Sequence, residues 1–260
     1  MRAAWYAGAH VHAPLRWIRF RHQALAALGT LLAVASLTAC DNGNRNAIDA
    51  STATVTAISA ADAEARLRRI VLAPADAGAG YTLDLARVQT NEQAARARPD
   101  TAAAMRQHET WGQVLAYNAQ FSAASLRDAV FSPKLARVMN TATIFNDADG
   151  ASAALMYVRA LAPNLIGDVL TNEGEGTQIT DTQVTKDITF AAKGDESFAW
   201  RISGKATFAD GFSINFIADT LFVRAGAVTG SVTGVALGDA PDRAELERLV
   251  DRFIEKARAE

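Results

Sequence analysis

Residues 177–237 constrain the fold most. The runs "TQITDTQVTKDITF" (177–190), "ESFAWRISGKATF" (196–208) and "FSINFIADTLFVRAGAVTGSVTGVAL" (212–237) are dense in Thr, Val, Ile and Phe, which fit the pleated surface of a sheet. Turn signals at Lys193-Gly194, Asp210-Gly211 and Ala225-Gly226 punctuate them, so the spacing predicts antiparallel strands joined as hairpins. The closing segment "DAPDRAELERLVDRFIEKARAE" provides a cover for that sheet. Leu246, Leu249, Val250, Phe253, Ile254 and Ala257 form one helical face, while Glu245, Arg248, Asp251, Arg252 and Glu255 form the other. Asp239 and Pro241 are suited to start this helix. Its charge is too mixed for a membrane-surface helix, so it is expected to dock on the sheet.

The first half supplies further elements. Ser59 is placed to cap "AADAEARLRRIVLA", in which Ala63, Leu67, Ile70 and Val71 share a face, and Pro74 stops it. "YTLDLARV" (81–88) alternates as a half-buried strand would, with Tyr81, Leu83 and Leu85 inward. Residues 91–110 predict two short helices broken at Pro99, and 112–123 and 137–145 predict strands. Asn146 and Asp147 can cap a helix whose stripe is Ala151, Leu155, Val158 and Ala162, ended by Pro163. The order implies an α+β layered domain, a central antiparallel sheet covered by helices, in one unit over 59–260. Roughly 200 residues suffice for a core without disulfides, and none can form, because Cys40 is the sole cysteine.

The segments "IVLAPADAGAGYTLD", "GQVLAYNAQF", "TIFNDADGASAALMYV", "GDESFAW" and "DTLFVRAGAVTGSVTGV", followed by an amphipathic helix, resemble the PsbP-like group, and more closely bacterial lipoproteins with that fold. The resemblance implies an α/β/α sandwich that binds proteins or small ligands. It carries no shared catalytic residues.

Residues 1–23 are basic through Arg2, Arg16, Arg19 and Arg21, and the fourteen residues from Ala24 to Leu37 carry no charge. A transmembrane helix needs about 20 apolar residues, so this run fits the apolar region of a secretory signal instead. "LTAC" (37–40) then resembles the lipobox of bacterial lipoproteins. That resemblance implies cleavage before Cys40 and a diacylglyceryl anchor on its thiol, with residues 1–39 as signal peptide and 40–58 as a flexible tether. Two acyl chains anchor stably where one does not. The expected location is the cell envelope, on the extracytoplasmic side of the membrane. The other reading is an ordinary secreted protein with a cysteine near its cleavage site.

All 28 acidic residues lie beyond Cys40, with 22 of the 26 basic ones. The processed chain therefore carries net negative charge, which argues against nucleic acid as a partner. Catalytic signatures are absent: no G-x-S-x-G elbow, Walker loop or dinucleotide fingerprint occurs. His108, in "MRQHETW", is the one histidine outside the leader, and reads as a surface helix end. One His without a free Cys argues against an ordinary zinc site. "NDADG" (146–150) has Met156 where a calcium loop needs Glu, "NEGEG" (172–176) reads as a loop, and "GDES" (194–197) reads as a turn with a local side-chain hydrogen bond.

No enzyme, no cofactor and no metal are therefore expected. Two functional readings stay open. In one, the lipoprotein docks a partner protein as an accessory or sensor subunit, through an exposed apolar patch. In the other, it binds a small apolar ligand or lipid in a pocket lined by Trp111, Tyr117, Trp200 and Phe216.

Overall fold

The expected hairpins are present. In the computed structural model, which describes residues 58–123, 135–161, 178–207 and 211–260, strands β4 (Gln178–Lys186), β5 (Glu196–Thr207), β6 (Ser213–Ala225) and β7 (Val228–Leu237) pair antiparallel in sequence. A second meander joins β1 (Tyr81–Gln89), β2 (Gln113–Ala123) and β3 (Arg137–Phe145). The two meet where β3 runs antiparallel to β7, from Arg137↔Val235 to Ile144↔Val228. The result is one seven-stranded sheet of order β1-β2-β3-β7-β6-β5-β4. The chain is thus α+β.

One face carries the main core. Leu115, Phe121, Val138, Leu221 and Val232 pack beneath helix α1 (Ala60–Ile70) and the closing helix, Arg243–Ala259. That helix buries all six residues of its apolar stripe. It approaches β7 at Gly230, where a Cβ would fall 2.1 Å from the Phe253 ring. Two buried carboxyl or amide side chains on this face are matched. Asn140 accepts from the Leu72 backbone at 2.9 Å and donates to the Ser231 oxygen at 3.0 Å, and buried Asp219 takes Arg201 in two bonds of 2.6 and 2.7 Å.

The short α2 (Pro74–Ala77) contacts β1 and the closing helix. The opposite face carries the remaining helices. There α3 (Asn91–Arg96) and α4 (Thr101–Thr110) pack against β2, separated at Pro99 as expected. Helix α5 (Ala148–Leu161) packs on β3, β6 and β7. Its start is held by Asp147, whose Oδ1 accepts from the Gly150 N–H at 2.7 Å. The closing helix is α6.

Two local expectations need correction. Leu83 is exposed and Leu85 half-buried, because β1 is an edge strand whose register shifts between them, and such an irregularity breaks strict alternation. The N-cap of α6 is Asp242, not Asp239; its carboxylate accepts from Ala244 N. The strand expected from 177 begins at Gln178, and residues 172–176 lie outside the described residues. Cys40, the leader, the tether to residue 57, and Ala162 and Pro163 lie outside the described residues. Among the described residues, no helix is long and apolar enough to cross a membrane.

Candidate functional site

The alternation that sends Val228, Gly230 and Val232 toward α6 turns Thr229, Ser231 and Thr233 to the other face. Thr141 and Thr143 of β3 and Thr220 of β6 join them. Threonine keeps the β-branched shape that a central strand favours, yet presents a hydroxyl. The middle of this face is therefore a floor of small polar side chains. It is ordered by its own bonds: Thr141 donates to Asn118 at 2.7 Å, Asn118 to Gln89 at 3.2 Å, and the Thr220 and Thr233 hydroxyls meet at 2.8 Å.

Large side chains stand around this floor and leave a cavity of about 170 Å³. Leu155, Tyr157 and Val158 of α5 form the roof, and Trp111, at the end of α4, meets Tyr157 with ring centroids 5.0 Å apart. Trp200 and Phe222 form the far wall, 4.8 Å apart, backed by Phe198.

Three polar atoms of cavity-lining residues are buried without a hydrogen-bond partner: Trp200 Nε1, His108 Nδ1 and Arg98 Nε. Their residues are 4%, 1% and 8% exposed. Buried polar atoms are nearly always satisfied, so three orphans around one cavity mark a place where something else can bond. Burial, and then the nearby charge of Arg98, push His108 down to about 4, against the pull of the Asn91 backbone. Its imidazole is neutral at physiological pH. Burial also pulls the Arg98 guanidinium below its ordinary value, countered by Tyr157. Arg98 donates to Gln107 Oε1 at 3.0 Å and lies over the Tyr157 ring at 5.9 Å. Among the described residues, no group of three or more metal-ligating side chains comes together.

No protein-family model matches the chain, and a search of curated proteins finds no match. Among solved structures, the chain is similar to the crystal structure of the extracellular domain of PknH from Mycobacterium tuberculosis. The two share 13% identity over 76% of this chain and 97% of that one, with a TM-score of 0.45. An overlap this loose does not bear on function.

Of the residues singled out in the sequence, Trp111 and Trp200 line the cavity. Phe216 is on the same face but packs with Met139, Ile202 and Val235, outside it. Tyr117 points into the main core on the opposite face, its hydroxyl accepting from Arg68 at 3.3 Å. His108 is not a surface helix end: α4 turns it inward against β2, beside Arg98 and 6.3 Å from Trp111. The "GDES" turn is structural. Ser197 accepts from Lys193 N at 2.9 Å, Asp195 from Gly226 N at 2.7 Å, and Glu196 holds Arg224 and Ser152. Sequence reasoning missed Arg98, Tyr157 and the threonine floor. The "VTGSVTG" pattern of β7, hydroxyl residues alternating with Val and Gly, was the available signal for the floor.

Proposed function

We propose that this chain is a non-enzymatic, extracytoplasmic lipoprotein, anchored through Cys40, that binds a small ligand between its sheet and the helices α4 and α5. The observation that carries the binding half is the cavity with its three unpartnered buried polar atoms. The leader, the "LTAC" motif and the following polar tether support the anchored half. The PsbP-like reading of the layered domain rests on its quoted motifs and agrees with a binding role.

The volume favours a small ligand over a lipid, since pockets for drug-sized molecules span roughly 300–1,000 Å³ and this one has about 170 Å³. Partner docking has less support. The exposed large apolar side chains among the described residues are Leu83 on β1 and Met156 on α5, and single exposed side chains need no explanation.

Native mass spectrometry of the full chain, expressed with its leader and extracted in detergent, tests both halves. The expected spectrum shows a stoichiometric added mass that is lost on denaturation, and an acyl mass on Cys40 that survives it. A spectrum without the first overturns ligand binding; one without the second overturns the anchor.

A further inference from the structure

The cavity has a charge as well as a shape. Among the described residues that line it, Arg98 is the one that carries a charge, and none is Asp, Glu or Lys. Among the described residues, the groups that act on Arg98 are Tyr157 and Gln107, and neither is a carboxylate. A buried charge without a counter-charge costs several kcal/mol, and proteins ordinarily pair it or neutralise it. A guanidinium is not readily neutralised. His108 adds no charge, because it is held neutral beside Arg98. Among the described residues the site is thus short of one negative charge.

Its size limits what can bring that charge. An engineered apolar cavity of about 150 Å³ accepts benzene. About 170 Å³ therefore admits one ring, or a short branched chain, with a small head group. The walls match such a body, with Trp111, Leu155, Val158 and Phe222 presenting apolar surface. A polar orphan matches the head: Arg98 Nε is a donor left without an acceptor.

We propose, resting on the ligand-binding reading above, that the occupant is a small organic monocarboxylate of about one ring in size, its carboxylate on Arg98 and its apolar body between Trp111, Leu155 and Phe222. Guanidinium and carboxylate match in a planar, two-bond geometry. A monoanion balances a single arginine. A phosphate monoester is larger and carries close to two charges, so it fits less well.

The chain's four tryptophans are Trp5, Trp17, Trp111 and Trp200, so once the leader is removed its tryptophan fluorescence reports on the cavity alone. The processed, detergent-extracted protein is titrated with benzoate, benzamide and phenyl phosphate. The expected result is a saturable change with benzoate at an affinity about tenfold above benzamide, the increment of a charge-assisted hydrogen bond over a neutral one. Arg98→Gln, checked for native circular dichroism, is expected to erase that preference while benzamide still binds. Equal affinity of benzoate and benzamide in the unaltered protein would overturn the anion assignment and leave the ligand-binding reading standing. Tighter phenyl phosphate would overturn the carboxylate in favour of a phosphate. Saturation by none of the three at millimolar concentration would overturn both this inference and the binding role it rests on.

Discussion

Gly150 lies directly against the carbonyl oxygen of Trp111: a Cβ built on it would come within 1.9 Å of that oxygen. This close approach seats the start of α5 on the end of α4, and so sets the height of the cavity roof. In an isolated helix Gly→Ala stabilises by about 1 kcal/mol. Here the collision is with backbone and cannot be relieved by a rotamer. Gly150→Ala is expected to destabilise by ~1–3 kcal/mol and to alter tryptophan fluorescence, because Trp111 must move. Urea denaturation followed by fluorescence checks both; an unchanged midpoint would show that the helix shifts freely.

On the other face, Gly230 lies as closely against the ring of Phe253. Phe253→Ala should cost ~3–5 kcal/mol, as a fully buried ring leaves a large void. Gly230→Ala should cost ~1–3 kcal/mol by overpacking. The double variant Gly230→Ala with Phe253→Leu should lose less than the sum of its single variants, since a smaller side chain makes room for the new methyl. Additive losses in thermal denaturation would place the strain elsewhere.

His108 makes stability depend on pH in a definite direction. In the unfolded chain its imidazole titrates near the ordinary 6.5, and in the fold burial holds it at about 4. Between those values the unfolded state binds the proton and the folded state does not, so protons favour unfolding. The stability that the neutral ring contributes is present above pH 6.5 and is lost as pH falls toward 4, on the order of 3 kcal/mol in full. His108→Gln should flatten the midpoint-versus-pH curve in that interval. An unaltered slope would mean that the ring is hydrated and protonates freely in the fold.

Arg201 and Asp219 form an unequal pair. The Asp219 side chain is 1% exposed and the Arg201 side chain 35%. Removing the arginine strands a buried carboxylate, whereas removing the aspartate leaves a guanidinium that water can reach. Arg201→Met is therefore expected to cost ~3 kcal/mol or more, and Asp219→Asn distinctly less. Chemical denaturation of the two variants side by side decides it, and the reverse order would refute the argument from solvent access.

Trp200 contributes packing and a donor, and the two can be separated. Trp200→Phe retains a ring against Phe198 and Phe222 but deletes the orphaned Nε1–H. Any ligand that accepts from that donor should bind ~5–10-fold more weakly, with a stability loss smaller than that of Trp200→Ala. Equal affinity in calorimetry would show that the indole N–H stays unpaired in the complex.

Much of this architecture was legible in residue order. Each predicted strand in 177–237 has its counterpart, and the stripe of α6 is buried residue by residue, because periods of two and of 3.6 are imposed by backbone geometry within one element. The site was legible only in fragments. Trp111 and Trp200 stood out as large aromatics, yet Tyr117 had the same appearance and turned to the opposite face. His108 looked exposed at a helix end, and the packing of α4 on β2 buried it.

Local composition by itself determined the strands, the helices and the turns between them, since each of these is set by neighbours within a few residues. Only the tertiary structure decided which face each alternating residue joined and where the layers stopped short of contact. The pairing of β3 with β7 brings Thr141 and Thr143 beside Thr229 and Ser231 from nearly ninety residues away, and the small side chains of that floor cannot fill the space beneath α5. A cavity is a failure of distant surfaces to meet, and no short-range pattern in a chain records it.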